Sequence, residues 1–361
     1  MSITDFLKRE NNNLDLVRIM LACLVIVGHS PILNGSSYMW VDPIQHFFKF
    51  TYSGAIAVKL FFFISGLLVT NSLLIQKNPV QFITSRFFRL MPALFFVLVL
   101  TVLLVGPILT SMKVSEYFSD SGFLSYFSHN ILFRQYLFLP GVFESNFYHK
   151  TVNGSLWSLA YEVKCYIALL IIFLFLKNTS KRYWNIVFLI ILVGTLLHSK
   201  FSFGAITHNP DIYLLFVSFA FGAFCAIHAD KIKLNLQIVA GMFLLFYLLK
   251  DTSYAQLFFI PASGITVLYL ASIKFVLKLR PKYDISYGVY LWGFLVQQTI
   301  FHYCGHMYVG FHCLLAIIIS VLLGLITNII IEKPFIKFGK YTYTFLQDRI
   351  PTIELFRKRN N

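Results

Sequence analysis

Charged residues are scarce in this sequence. Asp, Glu, Lys and Arg together make up 12% of its 361 residues, about half of the roughly 25% found in an average soluble chain. Hydrophobic residue types account for 58%, and the mean hydropathy is +0.72. A single soluble core does not bury that much apolar surface, so lipid is expected to surround most of the chain. The composition excludes an ordinary soluble protein and favours an integral membrane protein.

Acidic residues and paired cysteines are also few. The chain has 15 Asp and Glu against 30 Lys and Arg, a formal net charge of +15. On a soluble domain this excess would suggest a nucleic-acid partner. Here the basic residues stand in short clusters between apolar runs, so no nucleic acid is expected. The five cysteines show no paired spacing, which predicts neither a disulfide framework nor a metal site. They are Cys23, Cys165, Cys225, Cys304 and Cys313.

Long apolar runs are abundant, and each approaches the roughly 20 residues that a membrane-spanning helix needs. We therefore predict an all-α fold, a polytopic bundle of about ten transmembrane helices. The first run lacks a small-residue cleavage site, so we interpret it as a retained helix. We expect one domain over 1–361, with an outer loop at 111–154 and a tail at 335–361. The runs are 14–34, 54–75, 88–110, 155–176, 184–198, 211–228, 235–250, 255–273, 284–304 and 309–331.

The distribution of Lys and Arg predicts the orientation of the bundle, because cytoplasmic loops carry an excess of both. With both termini inside, about 22 of the 30 Lys and Arg residues fall in inner segments and about 6 in outer ones. The excess alternates from loop to loop, which supports an even number of helices. We therefore expect cytoplasmic termini and a multi-pass membrane protein.

The first apolar run carries a stripe of ionisable residues. Asp15 and Arg18 are three residues apart, and His29 follows eleven residues later, which is close to three helical turns, or about 16 Å. Arg18 and His29 therefore share a helix face. Ionisable groups within a membrane usually face the bundle interior, so we predict a functional role for His29. Two alternatives stay open: Arg18 reaches the inner headgroups, and His29 caps the outer end.

Two further runs contain candidate site residues. Arg86 and Arg89 lie three residues apart at the inner start of the third helix, a spacing suited to gripping phosphate. Anchoring at the inner membrane surface would also place them there. In the fourth helix, Glu162 shares a polar face with two serines and Tyr166. Its structural alternative is an ion pair with Lys164 or Arg18.

Other polar positions are first interpreted as structural. Asp284 and Glu332, at the inner ends of the ninth and tenth runs, are interpreted as helix packing or helix termination. Pro334 is expected to stop the tenth helix. Ser65 and Gly66, in the second helix, are expected to be close-packing residues.

Several short motifs, taken in order, resemble the acyltransferase 3 family of membrane O-acyltransferases. The resemblance runs from about residue 14 to residue 335. Each motif is weak alone, whereas six of them in the family's order on this topology are specific. The matching stretches are L-D-L-V-R with a downstream G-H-S, L-F-F-F-I-S-G-L-L-V, S-R-F-F-R-L-M-P, S-L-W-S-L-A-Y-E, I-S-Y-G-V-Y-L-W and E-K-P.

The resemblance implies transfer of an acyl group, usually acetyl from acetyl-CoA, to a sugar hydroxyl of a lipid-linked or surface glycan. With no room for an appended domain, the chain is most similar to enzymes that modify the O-antigen of lipopolysaccharide. His29 then corresponds to the family's essential histidine, Arg18 to the arginine before it, and Arg86 and Arg89 to the inner arginine pair. Lys59 stands where many members carry an acid, so the role of that acid does not carry over.

The donor side of a mechanism follows from these expectations. The CoA phosphates do not enter hydrocarbon, so Arg86 and Arg89 would hold them at the inner face. The pantetheine arm would then pass along the first helix, beyond Arg18 and towards His29. Further candidates for binding the donor are Asp15, Ser286 and Tyr287.

On the acceptor side, His29 would act as general base on the sugar hydroxyl, because imidazole accepts a proton near neutral pH. Glu162 would orient the imidazole or bind the acceptor. An acetyl-histidine intermediate stays open as an alternative. The outer loop would guide the acceptor through aromatic residues such as Tyr117, Tyr126, Tyr136 and Tyr148.

Two other classes of protein compete with an enzyme. A secondary transporter of a polar solute would also place Arg, His and Glu inside a bundle, but the internal repeats and broken helices typical of transporters are not evident. A purely structural membrane subunit would not need an aligned Arg and His. The acceptor sugar, the length of the acyl chain and the oligomeric state stay open.

Overall fold

The protein is all-helical in the computed structural model, which describes residues 1–35, 42–201 and 210–349. Within those ranges β-structure is limited to three isolated bridges. A helix satisfies its backbone hydrogen bonds internally, which is why long apolar sequences adopt it in a membrane. The main helices are α1 (Leu14–Leu33), α2 (Ser53–Gln76), α3 (Pro79–Leu100), α4 (Trp157–Leu176), α5 (Lys181–Phe201), α6 (Pro210–Ile227), α7 (Leu236–Leu249), α8 (Ala255–Ala271), α9 (Ser286–Cys304), α10 (Val309–Thr327) and α11 (Lys333–Arg349).

Each predicted apolar run overlaps one of the helices α1 to α10, which confirms the all-α prediction. Five helical stretches of the described chain are long and apolar enough to cross a membrane. Three shorter apolar helices lie at 212–227, 236–249 and 255–271. The count of about ten spans and the cytoplasmic placement of the termini stay predictions. The five long stretches are Leu14–Leu33, Ser53–Gln76, Pro79–Leu109, Gly154–Leu176 and Val309–Gln347.

The expected stop at Pro334 is wrong. After α10 the chain makes a π-helical turn at Asn328–Glu332 and continues directly into α11. Pro334 is the second residue of α11. The N–H of the preceding Lys333 bonds the Asn328 oxygen five residues back, so the regular i−4 pattern is already interrupted where the proline lacks its donor. The first part of the predicted tail is therefore helical, and its end, 350–361, lies outside the described residues.

The chain forms two compact units, and each is assembled from separate stretches of sequence. The first unit comprises Met1–Leu21, Pro43–Lys77 and Tyr161–Lys282. The second comprises Ala22–Asp42, Asn78–Ala160 and Tyr283–Asn361. The boundaries fall inside α1 and α4, so each of these helices contributes to both units.

Close contact between α2 and α6 builds the first unit. A Cβ on Gly222 would stand 1.9 Å from the Phe63 carbonyl oxygen, and one on Gly66 would stand 2.1 Å from the Phe219 carbonyl oxygen. Such distances are sterically impossible, so only glycine permits the approach. Small residues at helix contacts are the usual device in membranes, where lipid offers no hydrophobic drive for helix association. The predicted packing role of Gly66 is confirmed.

The outer loop of the second unit is anchored to α9. The side-chain amide of Gln298 donates to the carbonyl oxygens of Tyr148 (2.8 Å) and Thr151 (2.7 Å). Asn146 donates in return to the backbone oxygen of Gln298 at 2.9 Å, and Asn153 donates to the Leu291 oxygen at 2.8 Å. Residues 146–153 are therefore fixed by side chains that bond buried backbone groups, as such groups require.

Candidate active site

His29 lies in the C-terminal half of α1, and its surroundings belong to the second unit. The helix is continuous from Leu14 to Leu33, so Arg18 and His29 lie on one helix as the spacing predicts. The half-buried imidazole meets the ring of Phe294 edge-on, with 5.4 Å between the ring centroids. Tyr148 contacts the same ring at 6.1 Å. One phenylalanine therefore touches both the candidate base and a tyrosine of the predicted acceptor loop.

The backbone that carries His29 is fixed by Gln297, a residue that sequence reasoning missed. Its fully buried side-chain amide donates to the Ile26 carbonyl oxygen at 2.9 Å and to the Ser30 hydroxyl at 2.8 Å. Ser30 itself donates to the Ile26 oxygen at 2.9 Å. Pro31 follows within the helix and lacks a backbone donor, so this turn gains from side-chain bonds. The pair of glutamines in an otherwise apolar α9 was the available signal.

Hydrogen bonds also join α9 to the chain at the start of α4, within the second unit. The Tyr290 hydroxyl donates to the Ser155 carbonyl oxygen at 2.6 Å. Since a phenol has one proton, Ser158 is the donor in its 2.6 Å hydrogen bond with Tyr290. Gly154 lies against Phe294, where a Cβ would come within 2.7 Å of the ring. The hydrogen bonds hold the segment at 154–158 against α9, and Gly154 of that segment packs on Phe294, the ring that meets His29.

Arg89 lies at the centre of a second cluster, formed by α3, α9 and the turn after α10. Its Nη2 is 2.8 Å from Asp284 Oδ2, and its Nη1 is 3.1 Å from Glu332 Oε2. The side chains of Arg89 and Asp284 are each 17% exposed and that of Glu332 is 0% exposed, so water screens these pairs little. Asp284 and Glu332, first interpreted as packing or helix-terminating residues, therefore have the further role of holding Arg89.

Three of the predicted donor-binding residues meet at this cluster. Ser286 donates to Asp284 Oδ1 through its hydroxyl (2.6 Å) and its backbone N–H (3.2 Å). The Tyr287 hydroxyl donates to the Leu90 oxygen at 3.0 Å. The terminal nitrogens of Arg89 hold carboxylates, so binding of a phosphate by Arg89 stays a prediction. Arg86 is half-buried, and its Nε donates to the adjacent Ser85 hydroxyl at 3.4 Å.

Glu162 is held by hydrogen bonds in the first unit. The Tyr166 hydroxyl, one helical turn away, donates to Glu162 Oε1, as the predicted shared face requires. Ser65 on α2 approaches the same oxygen at 3.4 Å and the Tyr166 hydroxyl at 3.1 Å. Ser65 is therefore a hydrogen-bonding residue as well as a neighbour of the helix contact, which the sequence did not predict.

The remaining predicted residues have simpler surroundings. Asp15 lies 3.7 Å from Arg9 Nη2 and is 32% exposed, while Arg18 is half-buried. Two of the loop tyrosines proposed to stack on sugars, Tyr117 and Tyr126, are 0% exposed. Their rings lie within the protein, and the Tyr117 hydroxyl bonds the Val102 oxygen at 2.9 Å. That part of the expectation is wrong, because burial leaves no face for a sugar. Tyr148 is 41% exposed, so its ring keeps a face on which a sugar can stack.

Comparison with known proteins identifies the family. A family model described as an acyltransferase domain matches residues 11–345. An O-acetyl transferase of Shigella phage Sf6 is 28% identical over 352 residues, which cover 91% of this chain and 96% of the relative. Nodulation protein 10 of Rhizobium leguminosarum bv. viciae is 26% identical over 366 residues, covering 91% and 94%. No solved structure matches. Since the family model spans nearly the whole sequence, the protein belongs to the acyltransferase 3 family, whose members are acyltransferases.

Proposed function

We propose that the protein is a membrane O-acetyltransferase that moves an acetyl group from cytoplasmic acetyl-CoA to a hydroxyl of a surface or lipid-linked glycan, such as the O-antigen of lipopolysaccharide. The observation that carries the proposal is the near full-length similarity to a protein named O-acetyl transferase. Family membership favours this interpretation over a secondary transporter. The inner membrane, about ten spans and two cytoplasmic termini are part of the same proposal.

The proposed reaction places His29 as the general base. The imidazole takes the proton of the acceptor hydroxyl while the oxygen attacks the thioester carbonyl. The carbon–sulfur bond then breaks, and the proton passes to the leaving thiolate. The products are the acetylated sugar and CoA with a free thiol, so atoms and charge balance. The edge contact of the His29 ring with Phe294 supports a fixed orientation of the imidazole, which proton transfer requires.

Different roles are proposed for the two inner arginines. Arg86 is the residue that would contact the CoA phosphates, since a guanidinium suits phosphate. Arg89 would act indirectly, because its contacts to Asp284 and Glu332 join three helices beside Arg86. Arg18, which is predicted to share one face of α1 with His29, would line the route of the thioester.

Glu162 is proposed to accept a hydrogen bond from the acceptor. A carboxylate hydrogen-bonded by Tyr166 and Ser65 keeps lone pairs for a further donor. A sugar hydroxyl is such a donor. Replacement by Gln would keep the shape and weaken the acceptor, so it would raise the KM for the glycan more than that for acetyl-CoA.

A test uses the purified full chain with acetyl-CoA and isolated glycan. Release of the CoA thiol and the mass gain of the glycan are measured together. His29→Ala is expected to lower the rate by about 10²–10⁴-fold, the usual contribution of general base catalysis. His129→Ala is the matched control, because His129 is an exposed histidine of the outer loop and no role is proposed for it.

Two results would contradict the proposal. The first is a His29→Ala protein that stays folded and transfers acetyl at the normal rate. The second is a wild-type protein that releases no CoA thiol with any glycan isolated from the cells that produce it. Comparison of surface glycan masses with and without the gene extends the test to the natural acceptor.

A further inference from the structure

An apolar cavity of about 390 Å³ lies in the first unit, among α4, α5 and α6. Its walls are aliphatic and aromatic side chains with one cysteine, Cys165. The volume falls in the range of about 300–1,000 Å³ that is usual for ligand sites. One of its wall residues, Ile190, is 64% exposed, so the cavity opens at the protein surface, and walls without polar groups do not hold ordered water. A hydrocarbon chain is the ligand that such walls favour.

The cavity has one end near the polar ends of these helices. Trp184, one turn inside α5, and Ile227, the last residue of α6, both line it. Just beyond them, Lys181 binds Asp230 at 2.8 Å, and His228 bonds Asn185 at 2.6 Å. These contacts join the start of α5 to the chain after α6, at the level where the cavity ends.

This end is strongly basic. The hydrogen bond from Lys181 lowers the pKa of Asp230 below its usual value, so that pair is ionised and neutral overall. Burial lowers the pKa of His228, which favours its uncharged form at neutral pH. Arg182 and Lys231 are exposed beside them. The local excess of positive charge is complementary to an anionic headgroup.

Towards its opposite end the cavity is lined by Phe219, which neighbours the hydrogen-bond partner of Glu162. Phe219 lines the cavity, and its ring lies 6.3 Å from that of Tyr166. Tyr166 in turn donates a hydrogen bond to Glu162. A chain that fills the cavity would therefore pack against Phe219, whose ring neighbours the tyrosine that bonds Glu162.

We propose that this cavity binds one acyl chain of an anionic glycerophospholipid, with the lipid phosphate next to Arg182 and Lys231. This is a lipid site distinct from the donor and acceptor of the proposed reaction. In the proposed orientation the basic end is cytoplasmic, so the lipid comes from the inner leaflet. Its acyl chain packs against the apolar walls, and its phosphate meets the basic helix ends.

The experiment measures lipid binding by the full chain, purified in a mild detergent, by native mass spectrometry. Phosphatidylglycerol, phosphatidylcholine and a polyprenyl phosphate are added in separate arms. Phosphatidylglycerol is expected to bind about fivefold to tenfold more tightly than phosphatidylcholine, since one basic residue near an anionic headgroup contributes about that factor. Equal binding of the two glycerophospholipids, or preferred binding of the polyprenyl phosphate, would overturn the proposal.

Matched variants locate the site. Ala223→Phe places a ring in the cavity and is expected to abolish retention of phosphatidylglycerol. Ala240→Phe, at an exposed position of α7, is its control and should retain the lipid. If Ala223→Phe does not fold, Ala168→Leu fills the same cavity with a smaller group. Unchanged lipid retention in a folded cavity variant would show that the chain binds elsewhere.

A second pair of variants tests the headgroup. Arg182→Gln is expected to reduce the preference for phosphatidylglycerol by about fivefold. Lys340→Gln, an exposed charge on α11, should leave the preference unchanged. Equal effects of both variants would contradict a specific headgroup site. Lipid binding is read by mass and does not depend on acetyl transfer, so failure of this proposal and of the proposed function are distinguishable.

Discussion

Replacement of Arg89 by methionine is the most informative single change that the structure suggests. Methionine keeps most of the side-chain length, but it leaves Asp284 and Glu332 without the cation that bridges them. Removing one partner of a buried ion pair costs about 3–5 kcal/mol. Arg89 and Asp284 are 17% exposed, whereas Glu332 is fully enclosed. We therefore expect a loss near the low end, about 3 kcal/mol, because water can relieve one carboxylate.

The assay is unfolding of the purified chain in detergent, followed by temperature and by denaturant, with acetyl transfer measured in parallel. Arg89→Met should unfold several degrees below the wild type. The triple variant that combines it with Asp284→Asn and Glu332→Gln should recover most of the loss, because no uncompensated charge remains. A stable Arg89→Met protein with only a raised KM for acetyl-CoA would refute the reasoning and restore Arg89 to the phosphate site.

Two other predictions concern Arg86 and the contact of α2 with α6. Arg86→Ala should raise the apparent KM for acetyl-CoA by about tenfold or more, since a hydrogen bond to a charged group contributes about 1.5–3 kcal/mol. The unfolding temperature of this variant should match that of the wild type. An unchanged KM would favour membrane anchoring as the role of Arg86. Gly222→Val should sharply lower the yield of folded protein, because its Cβ would meet the Phe63 carbonyl oxygen at 1.9 Å, whereas Gly194→Val, with no atom within 4 Å, should fold normally.

The helices were predictable because hydropathy and length are local signals. Each apolar run overlaps a helix, and most ends are shifted by a few residues. Helix α3 shows the largest difference, because it begins at Pro79, nine residues before the predicted run at 88–110. The exception was the boundary after α10, where Pro334 reads as a stop in sequence. A π-helical turn at Asn328–Glu332 precedes it and places the proline where a helix tolerates one. The two-unit arrangement was not predictable, because it depends on which helices touch.

The site was predictable only as far as helical periodicity reaches. The bond between Tyr166 and Glu162 follows from their spacing of one turn. The partners of Arg89 lie 195 and 243 residues away in sequence, so no local pattern could reveal them. The buried loop tyrosines were misjudged for a related reason. A polar loop suggests exposed rings, but Tyr117 and Tyr126 fill the interior of the fold around it.

The amide of Gln298 has a consequence for protein engineering. It holds two carbonyls of the segment that ends at Asn153, while Asn146 from the same segment bonds back to it. The segment 146–153 and Gln298 on α9 thus form one hydrogen-bonded unit. Grafting the segment from a relative with another acceptor would require residue 298 to be transferred with it. A graft that left a mismatched residue at position 298 would leave buried carbonyl oxygens without a hydrogen-bond donor. The transplanted surface would then lose the shape for which it was chosen.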